Sequence, residues 1–434
     1  MTNIVIANGP GILDNGKEVI LFPSRWDSGV PGGKPFAFFP YELALLSALL
    51  KRELPGANVT LLDGNIESWS GDTYITKLLE LDPDVLICEL SALTYPTMTR
   101  VMQGVRRNRT ECITILCGPM ATYGNQKDVD DGWQEIAIGE YELTVLRILG
   151  GTVPPEARTE AGLINLDWLP WAEDEDIDRT RYYEINHYAP PAMIQLYPTR
   201  GCPLSCSFCV VPTYYGGHGK SHRSHRCRDV EDVCDEIEYL AAKYPNFKGC
   251  YFNEEAHNAN VEWLTSFCEA LIRRGLNKYQ YDAMCGYWTM TEPLVKLMAA
   301  AGYKQVRFGV ESTSAQVGKS IGKTIHLERM EKFMWWCKAA GIKCYGTFQI
   351  GAPGSTEATD RQTLADRDRW ARLDMMQKWQ VSTSTPQPGT PFYDECKRNG
   401  WLVTEDINRY DGINAVVNYP TYPANRIQAV RMAA

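Results

Sequence analysis

The chain has 434 residues, 44 % of them hydrophobic and 22 % charged, a balance typical of a soluble globular protein with about two domains. Its formal net charge of −9 does not favour a nucleic-acid or anionic-membrane partner. The opening MTNIVIANGP lacks the basic and apolar regions of a signal peptide, and no apolar run reaches the roughly 18 residues of a membrane span. We therefore expect a cytoplasmic protein.

The N-terminal part alternates short apolar runs with amphipathic stretches, a pattern typical of a doubly wound parallel sheet. It predicts a helix over 41–54 and strands over 4–7, 59–62, 85–87, 113–117 and 136–138. Ligands bind outside the carboxyl ends of such strands. Small and polar residues follow four of these strands, at 63–65, 91–94, 118–120 and 139–140. They indicate either a broad ligand site or ordinary tight turns.

Residues 154–192 are rich in proline and acidic residues and are predicted to be a linker. We interpret the acidic run at 173–176 as a solvated surface. From residue 193 the alternation resumes, with strands predicted over 194–197, 249–252, 280–284, 305–309, 343–350 and 378–382. Helices are predicted over 230–243, 260–274, 291–301, 313–321, 327–340 and 357–373.

Six β/α units are too few for a closed eight-stranded barrel, so they favour an open, partial (β/α)6 TIM-like barrel with its site at the carboxyl ends of the strands. The predicted fold class is thus α/β, with a doubly wound, Rossmann-like domain followed by this barrel. The predicted boundaries are 1–153 for the first domain, 154–192 for the linker, 193–395 for the barrel and 396–434 for a short C-terminal tail.

Fourteen cysteines occur in the chain, but only Cys202, Cys206 and Cys209 are tightly spaced, as C-x3-C-x2-C. Three thiolates at this spacing can each bind one iron of a cuboidal iron–sulfur cluster, which leaves the fourth iron open for a substrate. A zinc site is the competing interpretation, although zinc motifs usually place their ligands in two separated pairs. Three residues are close enough in sequence to supply a fourth zinc ligand: His218, His222 and Cys227.

The cysteine motif, with Phe208 before its last cysteine, resembles the signature of the radical S-adenosylmethionine (SAM) superfamily. In that family the open iron of a [4Fe-4S] cluster binds the amino and carboxylate groups of SAM. One electron then cleaves SAM to methionine and a 5′-deoxyadenosyl radical, which abstracts hydrogen. The resemblance implies a cluster on the three cysteines, SAM as a cofactor, and an electron donor such as flavodoxin or ferredoxin.

Further elements follow in the family's order and extend the resemblance. Glu254 and Glu255 end the second barrel strand, where relatives carry an acidic pair, usually two aspartates, that faces the SAM amino group. Glu311 lies in a Gly-x-Glu-Ser element whose glutamate contacts SAM in the family. Gln349 precedes a turn similar to the family's Ile-Gly-x-Pro-Gly, and the PGTP at 388–391 resembles another family segment. Phe208 is expected beside the adenine.

A doubly wound domain ahead of such a barrel resembles the cobalamin-binding subfamily, which includes radical SAM methyltransferases and the anaerobic magnesium-protoporphyrin cyclase. Cys117, Met120 and Tyr141 depart from its Gly-Gly-Pro-His and Gly-Glu-Gly-Glu elements. The Asp-x-His-x-x-Gly motif that ligates cobalt in other cobalamin proteins is absent at 63–65, so no histidine ligand is expected; a repurposed domain is the alternative. The resemblance assigns eight residues to cobalamin: Ser91, Leu93, Thr94, Gly118, Pro119, Met120, Gly139 and Glu140.

These features support three hypotheses of function. The first is a cobalamin-dependent radical SAM methyltransferase that acts on an unactivated carbon of a small molecule. The second keeps both cofactors but performs a cyclisation, oxidation or rearrangement without methyl transfer. The third is a non-enzymatic protein that holds only zinc.

Other features leave the substrate undefined. The basic stretch at 220–228 is interpreted as an anion site, a cover for SAM or a solvated loop. A role on transfer RNA is disfavoured, because Cys88, Cys112 and Cys117 do not match the extra cluster cysteines of the methylthiotransferases and the tail is short. Four aromatic residues are candidates for either the substrate pocket or the core: Tyr287, Trp288, Trp335 and Trp336.

Overall fold

The computed structural model describes residues 1–22, 27–30, 36–123, 129–183, 193–216 and 225–434. The chain divides into two compact units. The first comprises Met1–Glu184 and Thr213–His222, and the second comprises Ile185–Pro212 and Arg223–Ala434. No helix in the described ranges combines the length and apolar character that crossing a membrane requires.

The first unit is built on a parallel sheet of five strands in the order β4-β1-β5-β6-β7, beside a two-stranded antiparallel hairpin, β2-β3. The strands are β1 (Thr2–Asn8), β2 (Glu18–Leu21), β3 (Asp27–Val30), β4 (Ala57–Asp63), β5 (Val85–Glu89), β6 (Ile113–Cys117) and β7 (Glu135–Ile136). The helices are α1 (Tyr41–Glu53), α2 (Gly71–Glu80), α3 (Tyr95–Asn108), α4 (Pro119–Tyr123) and α5 (Glu142–Ile148).

Strand β1 is an interior strand of this sheet, hydrogen-bonded to the edge strand β4 on one side and to β5 on the other. Its residues Ile4, Val5 and Ile6 are all buried, because both faces of a parallel sheet are covered and a central strand then reads as a continuous apolar run. Helix α2 begins where the Ser70 side chain accepts a hydrogen bond from the Thr73 N–H. The predicted doubly wound α/β pattern thus corresponds to a parallel sheet.

The predicted linker belongs largely to this unit, and it carries three short 3-10 helices at Pro155–Ala157, Leu166–Trp168 and Arg179–Arg181. Our interpretation of its acidic run as a solvated surface is wrong for Glu173, which is buried. The Glu173 and Asp176 carboxylates lie 3.5 and 3.0 Å from the Lys51 ammonium. Asp176 also accepts a hydrogen bond from the Leu61 N–H, so the run fastens this segment to α1 and β4.

The second unit contains a six-stranded parallel sheet in the order β15-β14-β13-β12-β11-β8 and a short antiparallel pair, β9-β10. The strands are β8 (Met193–Leu196), β9 (Thr199–Arg200), β10 (Arg226–Cys227), β11 (Gly249–Phe252), β12 (Gln280–Met284), β13 (Tyr303–Glu311), β14 (Lys343–Ile350) and β15 (Lys378–Thr383). Helix α6 (Val211–Gly216) begins in this unit, and its residues from Thr213 onward belong to the first. The other helices are α7 (Val230–Lys243), α8 (Val261–Arg273), α9 (Glu292–Ala300), α10 (Ala315–Ser320), α11 (Leu327–Ala340), α12 (Glu357–Arg372), α13 (Pro391–Arg398) and α14 (Ala424–Met432).

Side-chain caps fix where several of these helices begin. The Asp229 carboxylate accepts hydrogen bonds from two N–H groups in the first turn of α7, and Asn260 caps α8 through the Trp263 N–H. Thr356 and Thr359 form a reciprocal capping box at the start of α12. Because each cap follows a strand directly or after a short loop, the alternation of strands and helices is encoded locally.

The residues predicted as a short tail are part of the core of the second unit. Helix α13 runs across the predicted boundary at 395/396, and α14 packs against α12, β14 and β15. Val416, Ile427 and Val430 are buried in the same apolar cluster as the strands. The Thr383 N–H of edge strand β15 donates to the Gly412 carbonyl, so the tail also covers part of the sheet edge.

Candidate active site

The loop after β9 carries the three predicted cluster cysteines and is held by hydrogen bonds to distant segments. The Gly201 N–H donates to Glu255 Oε2 at 3.0 Å. At the centre of the loop, the Ser207 N–H donates to the Ile321 carbonyl at 2.9 Å and the Ser207 carbonyl accepts from the Phe392 N–H at 3.0 Å. The protein chain therefore fixes the path of the loop.

Cys202, Cys206 and Cys209 are all reduced and half-buried. Burial raises the pKa of Cys202 to about 11 and raises the pKa of Cys206 and of Cys209 as well. Thiols with raised pKa values bind iron only after they release their protons. Across the described ranges, no three or more histidine, cysteine or acidic side chains gather around a point that could hold a single metal ion. In a cuboidal cluster each thiolate binds a different iron, which is a wider arrangement.

Glu254, from the predicted acidic pair, is completely buried at the end of β11. Its Oε1 accepts a hydrogen bond from His257 Nδ1 at 2.6 Å and one from the Thr199 hydroxyl at 3.3 Å. Its Oε2 is buried and has no hydrogen-bond partner among the described residues. Leaving a buried carboxylate oxygen without a donor is costly. This oxygen therefore fits the amino group that the SAM prediction assigns to it.

Glu311 ends β13 in a left-handed backbone conformation, with φ of +60°, which is strained for a residue with a side chain. The Lys323 ammonium lies 2.9 Å from Glu311 Oε1 and 2.6 Å from the Gly309 carbonyl oxygen. Gln349 Nε2 donates to Glu311 Oε2 at 3.1 Å, and the Ser384 hydroxyl donates to Gln349 Oε1. The structure thus brings two of the five predicted SAM residues, Glu311 and Gln349, together in one buried network.

Lys323 is a site residue that the sequence analysis missed. Burial alone would lower the pKa of its ammonium, but the charges of Glu311 and Cys206 outweigh this and the pKa is raised. The lysine therefore stays protonated and supplies the positive charge of the Glu311 network. It lies between α10 and α11, where no motif distinguishes it from the other lysines of the chain.

Phe208, predicted to lie beside the adenine, packs against a small apolar cluster of Val317, Ile321 and Ala352. Two of these residues belong to α10 and its C-terminus, and Ala352 follows β14. The aromatic residue of the cysteine loop is therefore in contact with the turn that resembles Ile-Gly-x-Pro-Gly.

In the first unit, a shallow cleft opens at the carboxyl ends of the strands, which is where ligands bind in doubly wound sheets. Three of the eight residues predicted to bind cobalamin line it: Ser91, Thr94 and Pro119. The other lining residues were not predicted: Asn8, Leu21, Phe22, Phe38, Pro40, Glu89 and Leu90. Several of these come from the β2-β3 hairpin region and from the segment before α1, which the strand pattern did not reveal.

The other predicted cobalamin residues have different environments. Leu93 packs in an apolar cluster with Leu13 and Val19, and the Glu140 carboxylate accepts a hydrogen bond from the Ile164 N–H. The Met120 N–H donates to the Leu90 carbonyl at the start of α4. Gly118 and Gly139 both have positive φ, and a Cβ at Gly118 would lie 2.6 Å from Cγ of Glu89.

Two residues that depart from the subfamily pattern, Tyr141 and Asp63, form hydrogen bonds with residues of or near the cleft. Tyr141 is completely buried, and its hydroxyl donates to Glu89 Oε2 at 2.8 Å. Asp63 is buried and accepts hydrogen bonds from Asn8 Nδ2 at 2.9 Å and from the Tyr182 hydroxyl at 2.6 Å. Burial raises the pKa of Asp63. These contacts join β4 to β1 and to the predicted linker.

Residues 196–366 match the family described as the radical SAM superfamily. This part of the chain is a radical SAM domain. The predicted superfamily and the prediction of an enzyme are therefore confirmed, and a radical SAM domain implies a [4Fe-4S] cluster and SAM as cofactors.

Relatives extend the similarity beyond the radical SAM domain. A cytidylyl-2-hydroxyethylphosphonate methyltransferase from Streptomyces wedmorensis is 26 % identical, over 89 % of this chain and 83 % of its own length. An anaerobic magnesium-protoporphyrin IX monomethyl ester cyclase from Rubrivivax gelatinosus is 24 % identical, over 78 % of this chain and 63 % of its own. A similar solved structure is that of TsrM from Kitasatospora setae, a radical SAM methyltransferase with cobalamin and a [4Fe-4S] cluster bound. The two structures superpose with a TM-score of 0.64 and 18 % sequence identity, over 93 % of this chain and 79 % of that one. At this identity the structural likeness shows the fold.

The rival zinc ligands and the basic stretch lie partly outside the described residues, namely His218, His222 and positions 220–224. Cys227 is paired with Thr199 in the β9-β10 ladder. Arg228 forms ion pairs with Asp232 and Glu236, at 2.5 and 2.6 Å. His225 is hydrogen-bonded through Nε2 to the Ala256 carbonyl oxygen. The described end of the stretch thus contributes to the packing of the radical SAM domain.

The four candidate pocket aromatics differ in environment. Tyr287 is buried in the core and donates from its hydroxyl to the Thr324 carbonyl, whereas Trp335 is 47 % exposed and lies under the Lys338 ammonium. Trp288 and Trp336 are half-buried, and Trp336 packs against the core of the domain. Tyr287 is therefore a core residue, as the alternative interpretation expects.

Within the radical SAM domain, Asp360 of α12 fixes the turn after β14 by accepting a hydrogen bond from the Gly351 N–H at 2.7 Å. Burial raises the pKa of this carboxyl from its ordinary 3.8 to about 6, and the Gly351 donor only partly opposes the effect. A raised pKa means that the folded state holds the proton more tightly than the unfolded state does. The stability that this group contributes is therefore present below about pH 4 and is lost as the pH rises through about 6.

We expect Asp360→Asn, which keeps the acceptor for Gly351 without the charge, to abolish this loss. As the pH rises from about 4 to about 7, wild-type protein should lose roughly 3 kcal/mol of unfolding free energy relative to the variant. Paired urea denaturation curves at several pH values measure this difference. A difference that does not change with pH would mean that Asp360 is already ionised in the folded protein at acid pH.

Proposed function

We propose that the chain is a cobalamin-dependent radical SAM methyltransferase that methylates an unactivated carbon of a small molecule. The proposal rests on the combination of two units in one chain. One contains the radical SAM domain, in which Glu254 Oε2 is buried and has no hydrogen-bond partner among the described residues. The other is a doubly wound unit with a cleft at the carboxyl ends of its strands. In this proposal the first unit is the Rossmann-like cobalamin-binding domain. The second unit is the partial (β/α)6 radical SAM barrel, and the protein is cytoplasmic.

The residues of the second unit fit the cluster and SAM. Cys202, Cys206 and Cys209 would hold the cluster, because they provide three thiolates on one fixed loop. Glu254 would accept the SAM amino group through Oε2. Glu311, which is paired with the buried Lys323 ammonium, would provide a second contact to SAM. When bound, the cluster supplies the electron that cleaves SAM. We expect the cluster to receive this electron from a donor protein such as flavodoxin or ferredoxin.

The cleft of the first unit fits one side of a large, partly apolar cofactor. Phe22 and Phe38 provide an aromatic surface, and Ser91, Thr94 and the Glu89 carboxylate provide hydrogen-bonding groups for amide side chains. When bound there, cobalamin supplies the methyl group. Asp63 is engaged by Asn8 and Tyr182 and has no histidine beside it in the sequence, so we propose that no histidine ligates the cobalt.

Similarity to the magnesium-protoporphyrin cyclase supports a second candidate, in which both cofactors serve a cyclisation, oxidation or rearrangement. Methylation is preferred because the Streptomyces methyltransferase matches a larger share of both chains. The two reactions differ in what becomes of SAM. Methyl transfer would consume one SAM as the methyl source, which yields S-adenosylhomocysteine, in addition to the SAM that is cleaved to 5′-deoxyadenosine.

The test is to purify the protein without oxygen, reconstitute it with iron, sulfide and hydroxocobalamin, and measure bound iron, bound cobalt and the products of SAM. About four irons and about one retained cobalamin, with both SAM products after reduction, are the expected results. Iron without cobalamin would leave radical SAM chemistry in place but contradict the methylcobalamin mechanism. Both cofactors with 5′-deoxyadenosine alone, in the presence of a substrate that is converted, would favour the second candidate.

A further inference from the structure

Glu254 is the first member of a buried hydrogen-bonded chain that the sequence did not predict. His257 Nδ1 lies 2.6 Å from Glu254 Oε1, and His257 Nε2 lies 2.6 Å from the Tyr303 hydroxyl. The side chains of Glu254 and His257 are completely inaccessible to solvent, and Tyr303 is 1 % exposed. Three polar side chains, from the loop after β11 and from the start of β13, therefore meet inside the radical SAM domain.

The imidazole of His257 is held in one orientation by its surroundings. Phe252 stacks on it with ring centroids 4.7 Å apart and an interplanar angle of 4°, and Trp263 meets it edge-on at 5.7 Å. The His257 N–H donates to the Met284 carbonyl, so the backbone is fixed too. Ring rotation would break both side-chain hydrogen bonds in a place that water does not reach.

The proton positions in the chain follow from the chemistry of its members. Glu254 Oε1 is a carboxylate oxygen and accepts, so His257 donates to it from Nδ1. The other ring nitrogen, Nε2, is hydrogen-bonded to the Tyr303 hydroxyl. With the Thr199 hydroxyl as a second donor, Glu254 Oε1 is saturated. The only carboxylate oxygen of Glu254 left to accept is Oε2, which has no partner in the described part of the chain.

We propose that His257 and Tyr303 are positioning residues, which hold the Glu254 carboxylate so that Oε2 receives the amino group of SAM. This inference rests on the proposed function, because it requires SAM to bind at Glu254. The proposal also gives the two glutamates of the acidic pair different roles. Glu255 accepts a hydrogen bond from the Gly201 N–H of the cysteine loop, while Glu254 binds the amino group of SAM. A fixed carboxylate binds an ammonium group without the entropic cost of ordering a free side chain.

Three variants test the proposal. His257→Leu removes both ring nitrogens, His257→Asn keeps an amide donor near the position of Nδ1, and Tyr303→Phe removes only the hydroxyl that fixes the imidazole. The reconstituted protein is assayed for iron content, for the dissociation constant of SAM, and for the electron paramagnetic resonance spectrum of the reduced cluster before and after SAM is added. The resonance spectrum reports on SAM at the cluster independently of turnover.

With normal iron content, we expect His257→Leu to weaken SAM binding by about 10- to 100-fold, since a hydrogen bond to a charged group is lost. Its spectrum should respond to SAM only at correspondingly higher concentrations. His257→Asn should restore the affinity to within roughly threefold. Tyr303→Phe should weaken it by about three- to tenfold, because the imidazole loses the hydroxyl that helps to fix its orientation.

The proposal is overturned if the leucine variant binds SAM as tightly as wild type, or if the asparagine variant is no better than the leucine variant. Should His257→Leu fail to fold, Tyr303→Phe decides alone, and unchanged SAM affinity in that variant counts against the proposal. Failure of the proposed function looks different, because it is seen in the wild-type protein itself, which would then retain no cobalamin or bind no SAM.

Discussion

Replacement of Cys206 by alanine is expected to reduce bound iron from about four ions per chain to nearly none and to abolish SAM cleavage. Cys206 is the middle cysteine of the three. The loop is held on one side by backbone hydrogen bonds at Ser207 and on the other by the hydrogen bond from the Gly201 N–H to the Glu255 carboxylate. No neighbouring thiol can move into its place while those bonds persist. The variant should therefore fold and lack the cluster.

The matched control is Cys227→Ala, since Cys227 is the described cysteine that a zinc site would recruit. It pairs with Thr199 through the backbone of the β9-β10 ladder, which alanine preserves. Iron content and SAM cleavage should therefore be unchanged in this variant. Iron analysis and the absorption spectrum of the anaerobic protein show whether each variant, Cys206→Ala or Cys227→Ala, retains the cluster. Stoichiometric zinc in the wild type, lost from the Cys227 variant, would instead support the zinc hypothesis.

Substitution of Asp282 by alanine is expected to lower the free energy of unfolding by about 3–5 kcal/mol. Asp282 on β12 is buried and lies 3.0 Å from the Arg307 guanidinium on β13, whose side chain is also buried. Gln305 donates to the same carboxylate at 2.8 Å. The variant would leave the Arg307 charge inside the sheet of the second unit without its carboxylate partner, which is far costlier than the loss of a surface pair.

A double variant distinguishes the destabilisation caused by an unpaired buried Arg307 charge from the net contribution of the Asp282–Arg307 ion pair to stability. Asp282→Leu with Arg307→Met removes both charges and should recover most of the lost stability. Glu292→Ala, which breaks the exposed Glu292–Lys296 pair on α9, serves as the control and should change stability little. Guanidinium denaturation followed by circular dichroism measures all three. An Asp282→Ala variant as stable as the Glu292→Ala control would show that Arg307 is accommodated without the carboxylate.

Local patterns were enough to predict the six strands of the parallel sheet in the second unit, although not the short β9-β10 pair. Gly249–Phe252, Gln280–Met284 and Lys343–Ile350 have the predicted bounds, because buried parallel strands are short apolar runs that end at turn residues. The cysteine loop was predictable for the same reason, since its three cysteines lie within one short stretch of sequence. The α/β class and the superfamily follow from these two kinds of local signal.

Residues that act through distant contacts were missed. Lys323 reaches Glu311 and Tyr303 reaches His257 only after several strands have paired, and neither is set apart by its neighbours in sequence. His257 carried a weak signal, because it follows Glu254 by three residues. The β2-β3 hairpin was missed because its strands are short and are separated by proline and polar residues.

Two of the groups that hold the cysteine loop, the Ile321 carbonyl and the Phe392 N–H, belong to parts of the chain that the ribosome makes long after the cysteines themselves. While synthesis proceeds, the loop therefore lacks the bonds that fix its path, even though all three thiols have already been made. A complete cluster delivered to the nascent chain would therefore find the cysteine loop without its final conformation. The architecture thus favours loading of iron and sulfide after the segment that contains Phe392 has been made and has folded onto the loop.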